Sequence, residues 1–192
     1  ITVLHDQGVY RGKMVAESLL PAGGVITPVG GSGHEFWVDA LSTNFYVYSL
    51  SPEAEPAAWR IEVSPSSLEQ TNYFLHALTV MGTNVAAGPV VDLIDGGNTV
   101  GAALLDRVVL FQRPADPVTN ATFTISRAGT WKILATDLAP GWWSVSRHAS
   151  PILSGVRVSS EGHCLYFQGT EGDYILQRNM PDTDGDGMDD NW

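Results

Sequence analysis

Short apolar stretches rich in Val, Ile, Phe, Tyr and Trp recur along this chain roughly every eight to twelve residues, separated by Gly, Pro, Asn, Asp and Ser. That rhythm belongs to strands joined by turns, and no helix-period run of useful length interrupts it. Alternation is clearest at Phe123 and Ile125 in ATFTIS, Trp143 and Val145 in WWSVS, Val156 and Val158 in VRVSS, and Leu165 and Phe167 in HCLYFQ. Side chains two apart on a strand share a face, so each of these stretches is expected to bury one side. Further strands are expected in MVAESLL, VITPV, EFWVDA, FYVYSL, WRIEVS, YFLHALTVM, VVDLID, VGAALL, RVVLFQ, WKILATDL and DYILQ, with turns at 22–24, 30–33, 95–98 and 139–141. The expected fold is an all-β, antiparallel β-sandwich over residues 1–178, as one domain or as two tightly packed sheet subdomains. In SPSSLEQTNY, Ser66 or Ser67 offers a cap ahead of Glu69 and Gln70 for one helical turn, and a loop between strands fits the same residues. The proline-rich RPADPVTN after Gln112 reads as a crossover between strands, and RNMPD after Gln177 as a hinge to the tail.

Composition supports a folded core and narrows the partners. Of 192 residues, 44% are hydrophobic and 16% charged, enough apolar surface to bury a sizeable interior. The net charge of −11 stays negative even without the five carboxylates of the tail, so the field repels polyanions. Nucleic acid is excluded as a partner on that ground, since Lys and Arg nowhere cluster. No stretch approaches the roughly 18 apolar residues of a membrane span, and ITVLHDQGVY lacks the basic-then-apolar plan of a signal peptide, which suggests a mature or excised fragment. The single cysteine, Cys164, allows no internal disulfide and, within HCLYF, is expected to be a small buried apolar group.

The tail, DTDGDGMDDNW over 182–192, places carboxylates at alternate positions around two glycines. Counted as an EF-hand-like loop, Asp182 takes position 1, Asp184 position 3, Asp186 position 5, Gly187 the sharp turn, the Met188 carbonyl position 7 and Asp190 position 9. Position 12 would be residue 193, so the bidentate ligand must come from another group or the site is truncated. The expected cofactor is Ca2+, bound by Asp182, Asp184, Asp186, Met188 and Asp190; the competing reading is a solvated acidic tail. The pattern resembles the thrombospondin type 3 repeats of secreted proteins, which implies a secreted or cell-surface location.

Candidate catalytic chemistry is sparse. There is no GxSxG elbow, and His163 and Cys164, adjacent on a strand, would point to opposite faces. His5, His34, His76, His148 and His163 show no zinc-ligand spacing. His76 runs in phase with Phe74, Leu78 and Val80 and reads as a satisfied, half-buried histidine. GGSGH ahead of His34 could cradle an anion or turn a hairpin, and Glu53 and Glu55 read as exposed loop charge. Six tryptophans supply flat apolar faces of the kind that stack on sugar rings. Trp142 and Trp143 are adjacent, so on a strand one must face outward; it is a candidate carbohydrate platform or a cap on the core edge. The sequon Asn120-Ala121-Thr122 is expected at the surface.

Six segments taken in order, SLLPAGGVITPVGGSGHEFWVDA, AWRIEVSP, NYFLHALTV, VGAALLDRVVLFQ, ILATDLAPGWWSV and VSSEGHCLYFQGTEGDYIL, together resemble the C-terminal β-sheet region of secreted bacterial heparinase II/III-like polysaccharide lyases. In such lyases a helical toroid precedes the sandwich and carries catalytic Tyr, His and Asn; that toroid and those motifs have no counterpart in this sequence. The resemblance therefore implies a non-catalytic accessory module that gives structural support or contacts carbohydrate, its partners a polysaccharide or the rest of a larger extracellular protein. Two other readings stay open. One is a self-associating module of a surface layer or filament, pairing through free strand edges. The other is a fragment of an active uronate lyase, in which Arg60 or Arg107 would converge with His76.

Overall fold

The structure, a computed structural model, describes residues 2–7, 10–31, 37–38, 41–42, 59–67 and 69–179. These form strands β1 (Thr2–Gln7), β2 (Tyr10–Leu20), β3 (Val25–Gly30), β4 (Trp37–Val38), β5 (Leu41–Ser42), β6 (Trp59–Ser64), β7 (Leu75–Gly82), β8 (Val91–Asp95), β9 (Thr99–Leu104), β10 (Arg107–Gln112), β11 (Asn120–Ala135), β12 (Gly141–Arg147), β13 (Ser150–Val158) and β14 (Leu165–Asn179). The architecture is the expected all-β one. The chain divides into two compact units, Ser18–His76 and Ile1–Glu17 with Ala77–Trp192.

Within Ser18–His76, β3 and β6 pair antiparallel from Val25 opposite Ser64 to Gly30 opposite Trp59, and β4 pairs with β5. A turn closed by Gly24 N–H donating to the Pro21 carbonyl at 3.1 Å leads into β3. Residues 66–67 and 69–73 form bends and loop, with Ser67 Oγ bonded to the Glu69 carboxylate, as the loop reading expects of those residues.

The larger unit contains a seven-stranded sheet in the order β13-β12-β14-β11-β10-β9-β8. Two long strands, β11 and β14, turn that single sheet into a two-layered sandwich. They pair from Asn120 opposite Gln177 to Ile125 opposite Gly172, and again from Thr130 opposite Thr170 to Ala135 opposite Leu165. Between these ladders, residues 126–129 of β11 face only Glu171 of β14, a bulge that bends both strands. Val118 pairs with Leu138 in a parallel bridge just outside the two ends of β11, so the strand doubles back through its bulge. The first half of β11 thus lies in one layer with β14, β12 and β13. Its second half lies in the other layer and pairs parallel with β10, which carries β9 and β8 beyond it. Parallel neighbours need a crossover connection, and the proline-rich segment after Gln112 starts it.

Burial follows the alternation. In β11 the odd positions Ala121, Phe123, Ile125, Trp131, Ile133 and Ala135 are buried, whereas β14 switches from Leu165 and Phe167 to Tyr174 and Leu176 across the bulge. The unequal bulge, four residues against one, keeps both sets on the inner face. Val108, Leu110, Leu138, Trp143, Val145 and Val158 complete the interior; each of the larger side chains contributes about 1.5–3 kcal/mol on burial. Polar tips among the buried aromatics are met by backbone carbonyls four residues upstream: Trp131 Nε1 donates to Arg127 at 3.0 Å, Trp143 Nε1 to Ala139 at 2.9 Å, and Tyr174 Oη to Thr170. Thr99 Oγ1, also buried, donates to Gln112 Oε1 at 2.8 Å between β9 and β10.

Two burial expectations are overturned. Cys164 is exposed: it precedes β14 in phase with Tyr166, and the burial of Leu165 and Phe167 sends it outward. His76 is exposed together with Phe74, Leu78 and Val80. Period 2 fixes which residues share a face, not which face is covered.

Candidate functional site

The outward face of the layer built from β13, β12, β14 and the first half of β11 is where the sequence-predicted platform falls. On β12 the alternation that buries Trp143 completely leaves Trp142 42% exposed, so Trp142 is the outward member of the pair and Trp143 the inward one. The inward ring is pinned by its bond to the Ala139 carbonyl. The outward one is flanked by Arg157 on β13 and Asn179 on β14, its register partners.

Registration extends polar ranks across neighbouring strands at a spacing of about 4.8 Å. Ser144 stands opposite Gln177 and Gln177 opposite Asn120; Ser146 stands opposite Ile175 and Ile175 opposite Thr122; Asp173 stands opposite Thr124. Asn120, Thr122, Thr124, Asp173, Ile175 and Gln177 are all exposed, which places the sequon at the surface as expected. Two cross-strand hydrogen bonds order the face: Ser144 Oγ donates to Asn179 Oδ1 at 3.2 Å, and Thr124 Oγ1 to Asp173 Oδ1 at 2.7 Å. His148 Nδ1 lies 3.6 Å from Asp173 Oδ2 at the far end. The result is one flat aromatic ring beside guanidinium, amide, hydroxyl and carboxylate groups and the apolar Ile175, able to donate to and accept from a hydroxyl-rich ligand.

Near the bend, backbone N–H groups of Glu171 itself and of Gly129 hold the Glu171 carboxyl below the usual carboxylate range, the Gly129 bond being 3.3 Å. Burial pushes the Tyr174 hydroxyl up, so it stays a neutral donor to the Thr170 carbonyl. These groups shape the corner of the sheet and leave its outward face unaltered.

Other sequence candidates among the described residues are each tied to local partners. Arg60 is bound to Glu62 on its own strand, at 2.7 Å, and Arg107 lies beside Asp106. His163 Nδ1 sits 2.9 Å from the Leu138 carbonyl, a backbone tie at the start of β14. Asp182, Asp184, Asp186, Met188 and Asp190 lie outside the described residues, as do Glu53, Glu55 and His34. Among the described residues, no three His, Cys, Asp or Glu side chains gather as a metal site. Sequence reasoning missed the polar ranks around Trp142. Their outward direction was legible in ATFTIS and DYILQ, but not the adjacency of those strands.

Residues 93–178 match the family model of the heparinase II C-terminal domain. The resemblance read from the sequence therefore holds over the span that contains VGAALLDRVVLFQ, ILATDLAPGWWSV and VSSEGHCLYFQGTEGDYIL, and this span runs from β8 to the end of β14. No curated protein matches the chain.

Proposed function

We propose that the chain is a non-catalytic accessory module of a secreted or cell-surface heparinase II/III-like protein, and that it contacts carbohydrate through the face around Trp142. The carrying observation is the exposure of Trp142 on a sheet face whose neighbours are the Arg157 guanidinium, amides, hydroxyls, Ile175 and one carboxylate. A half-exposed indole offers a stacking surface for the C–H face of a sugar ring, and the polar ranks supply hydrogen bonds along an extended chain. Lyase chemistry would need a base poised at the uronate C5 and a partner neutralising its carboxylate. This reading gives neither role to any residue. The spacing of Asp182, Asp184, Asp186, Met188 and Asp190 supports a weak Ca2+ loop after the sandwich.

Affinity chromatography on immobilised acidic and neutral polysaccharides, run on the wild type and on Trp142→Ala, tests the contact. Retarded elution that Trp142→Ala loses while its melting transition survives supports the reading. Equal retention, or none by either protein, ends it. Unsaturated product absorbing in the near ultraviolet would instead show an active lyase, and assemblies that dissolve on chelation would favour the self-associating module.

A further inference from the structure

A cleft lies where the two layers part. Gly96, just past β8, seats against the Thr122 carbonyl and the Phe123 backbone so closely that a Cβ there would come within 2.2 Å of the Thr122 oxygen. From that contact β8 and the first half of β11 diverge, and a cleft of about 630 Å³ opens between them, lined by Val91 to Ile94, Ala103 and Thr124 to Arg127. Arg127 reaches the cleft because it belongs to the bulge that bends β11; an unbroken ladder would have committed residues 126–129 to pairing.

Its guanidinium is held from three sides. Nε lies 2.8 Å from Asp92 Oδ2 on β8, Nη2 donates to the Ala103 carbonyl at 3.4 Å, and the group lies over the Trp131 ring at 4.8 Å. The contact with Asp92 is an ion pair without an aligned hydrogen bond, since both atoms are shielded from solvent and neither has a hydrogen-bond partner. Among the described residues no partner holds Arg127 Nη1, Asp92 Oδ1 or Ser126 Oγ. The cleft thus offers a planar donor, an acceptor and a hydroxyl.

We propose that this cleft is a saccharide subsite, separate from the Trp142 face, that takes a neutral sugar through a pair of adjacent hydroxyls. One hydroxyl donates to Asp92 and its neighbour accepts from Arg127. A carboxylated or sulfated sugar fits poorly for two reasons. Its charge would stand beside the Asp92 carboxylate, and it would enter the field of a chain of net charge −11. The subsite adds to the accessory function above, and losing the Trp142 contact would leave it in place.

Calorimetric titration with cellohexaose and mannohexaose as neutral probes, and with a hexamer of glucuronate as the charged one, tests it. At least one neutral probe should bind and the glucuronate hexamer should not. Arg127→Lys keeps the charge but loses the planar fork, and Asp92→Asn keeps the shape but loses the acceptor charge; each should weaken binding about tenfold or more. All titrations are run in the Trp142→Ala background, so that the heat reports the cleft and not the proposed Trp142 face. Near-ultraviolet circular dichroism reports whether each variant keeps its fold, and Asp92→Asn carries the test if Arg127→Lys does not. Absence of heat with both neutral probes, tighter binding of the glucuronate hexamer, or full affinity in a folded variant would overturn the proposal.

Discussion

Tyr174 donates its hydroxyl to the Thr170 carbonyl at the bend of β14, and the same ring stacks on Phe123 with centroids 4.9 Å apart. One side chain thus ties the bend of one long strand to the buried face of the other. Gly169 makes room for it: a Cβ at that position would come within 2.2 Å of the Tyr174 oxygen. Tyr174→Phe, which keeps the stack and orphans the carbonyl, should lower stability by about 1–3 kcal/mol. Gly169→Ala should also destabilise, by about 1–3 kcal/mol through overpacking, and less so in the Tyr174→Phe background, where the clashing oxygen is gone. Urea unfolding of the two single variants and the double variant measures that coupling, and strictly additive losses would contradict the contact.

Truncation of the adjacent tryptophans should separate them. Trp143→Ala empties a fully buried site and removes the donor to the Ala139 carbonyl, so it should cost about 3–5 kcal/mol. Trp142→Ala, at an exposed position, should cost no more than about 1 kcal/mol. Comparable losses in thermal or urea unfolding would mean that Trp142 belongs to the core.

Acid should weaken the turn between β8 and β9. Arg113 grips Asp95 with two nitrogens, at 2.8 and 2.9 Å, and that pairing lowers the Asp95 pKa despite the opposing effect of desolvation. A carboxyl whose folded pKa is depressed stabilises the fold above its unfolded value of about 3.9, and that contribution is lost as pH falls through the lower folded value. Because the Asp95 side chain is 44% exposed, solvent screening holds the effect to about 1 kcal/mol or less. Urea midpoints should differ between wild type and Asp95→Asn at pH 7 and converge as pH falls below about 4. A gap that persists at pH 2 would place the effect elsewhere.

The Ca2+ loop proposed for the tail should bind at about 10^-4 to 10^-3 M, the range of extracellular calcium modules. Calorimetry should show heat for the wild type and less for Asp184→Ala. With the loop following the sandwich in sequence, EDTA should leave the melting temperature almost unchanged. A large drop would mean that calcium holds the core itself.

Period-2 alternation determined by itself that this chain is all-β, because a side chain on a strand can reach only one of two faces. ATFTIS buries Ala121, Phe123 and Ile125, and WWSVS, RVVLFQ and DYILQ bury alternate residues while Trp142, Phe111 and Ile175 face out, as that rule requires. Local pattern could not say which of Trp142 and Trp143 would face out, because that depends on which layer covers β12. Nor did it join ATFTIS to WKILATDL, or HCLYFQ to DYILQ, as single strands; each pair is interrupted by residues with turn chemistry that the structure absorbs in one shared bulge. That bulge is a property of two strands paired across a long stretch of chain, and it decides the doubling of the sheet, the cleft and the position of Arg127. The exposure of His76 and Cys164 was settled in the same way. Alternation assigns residues to faces, but only the packing of distant segments decides which face becomes the core.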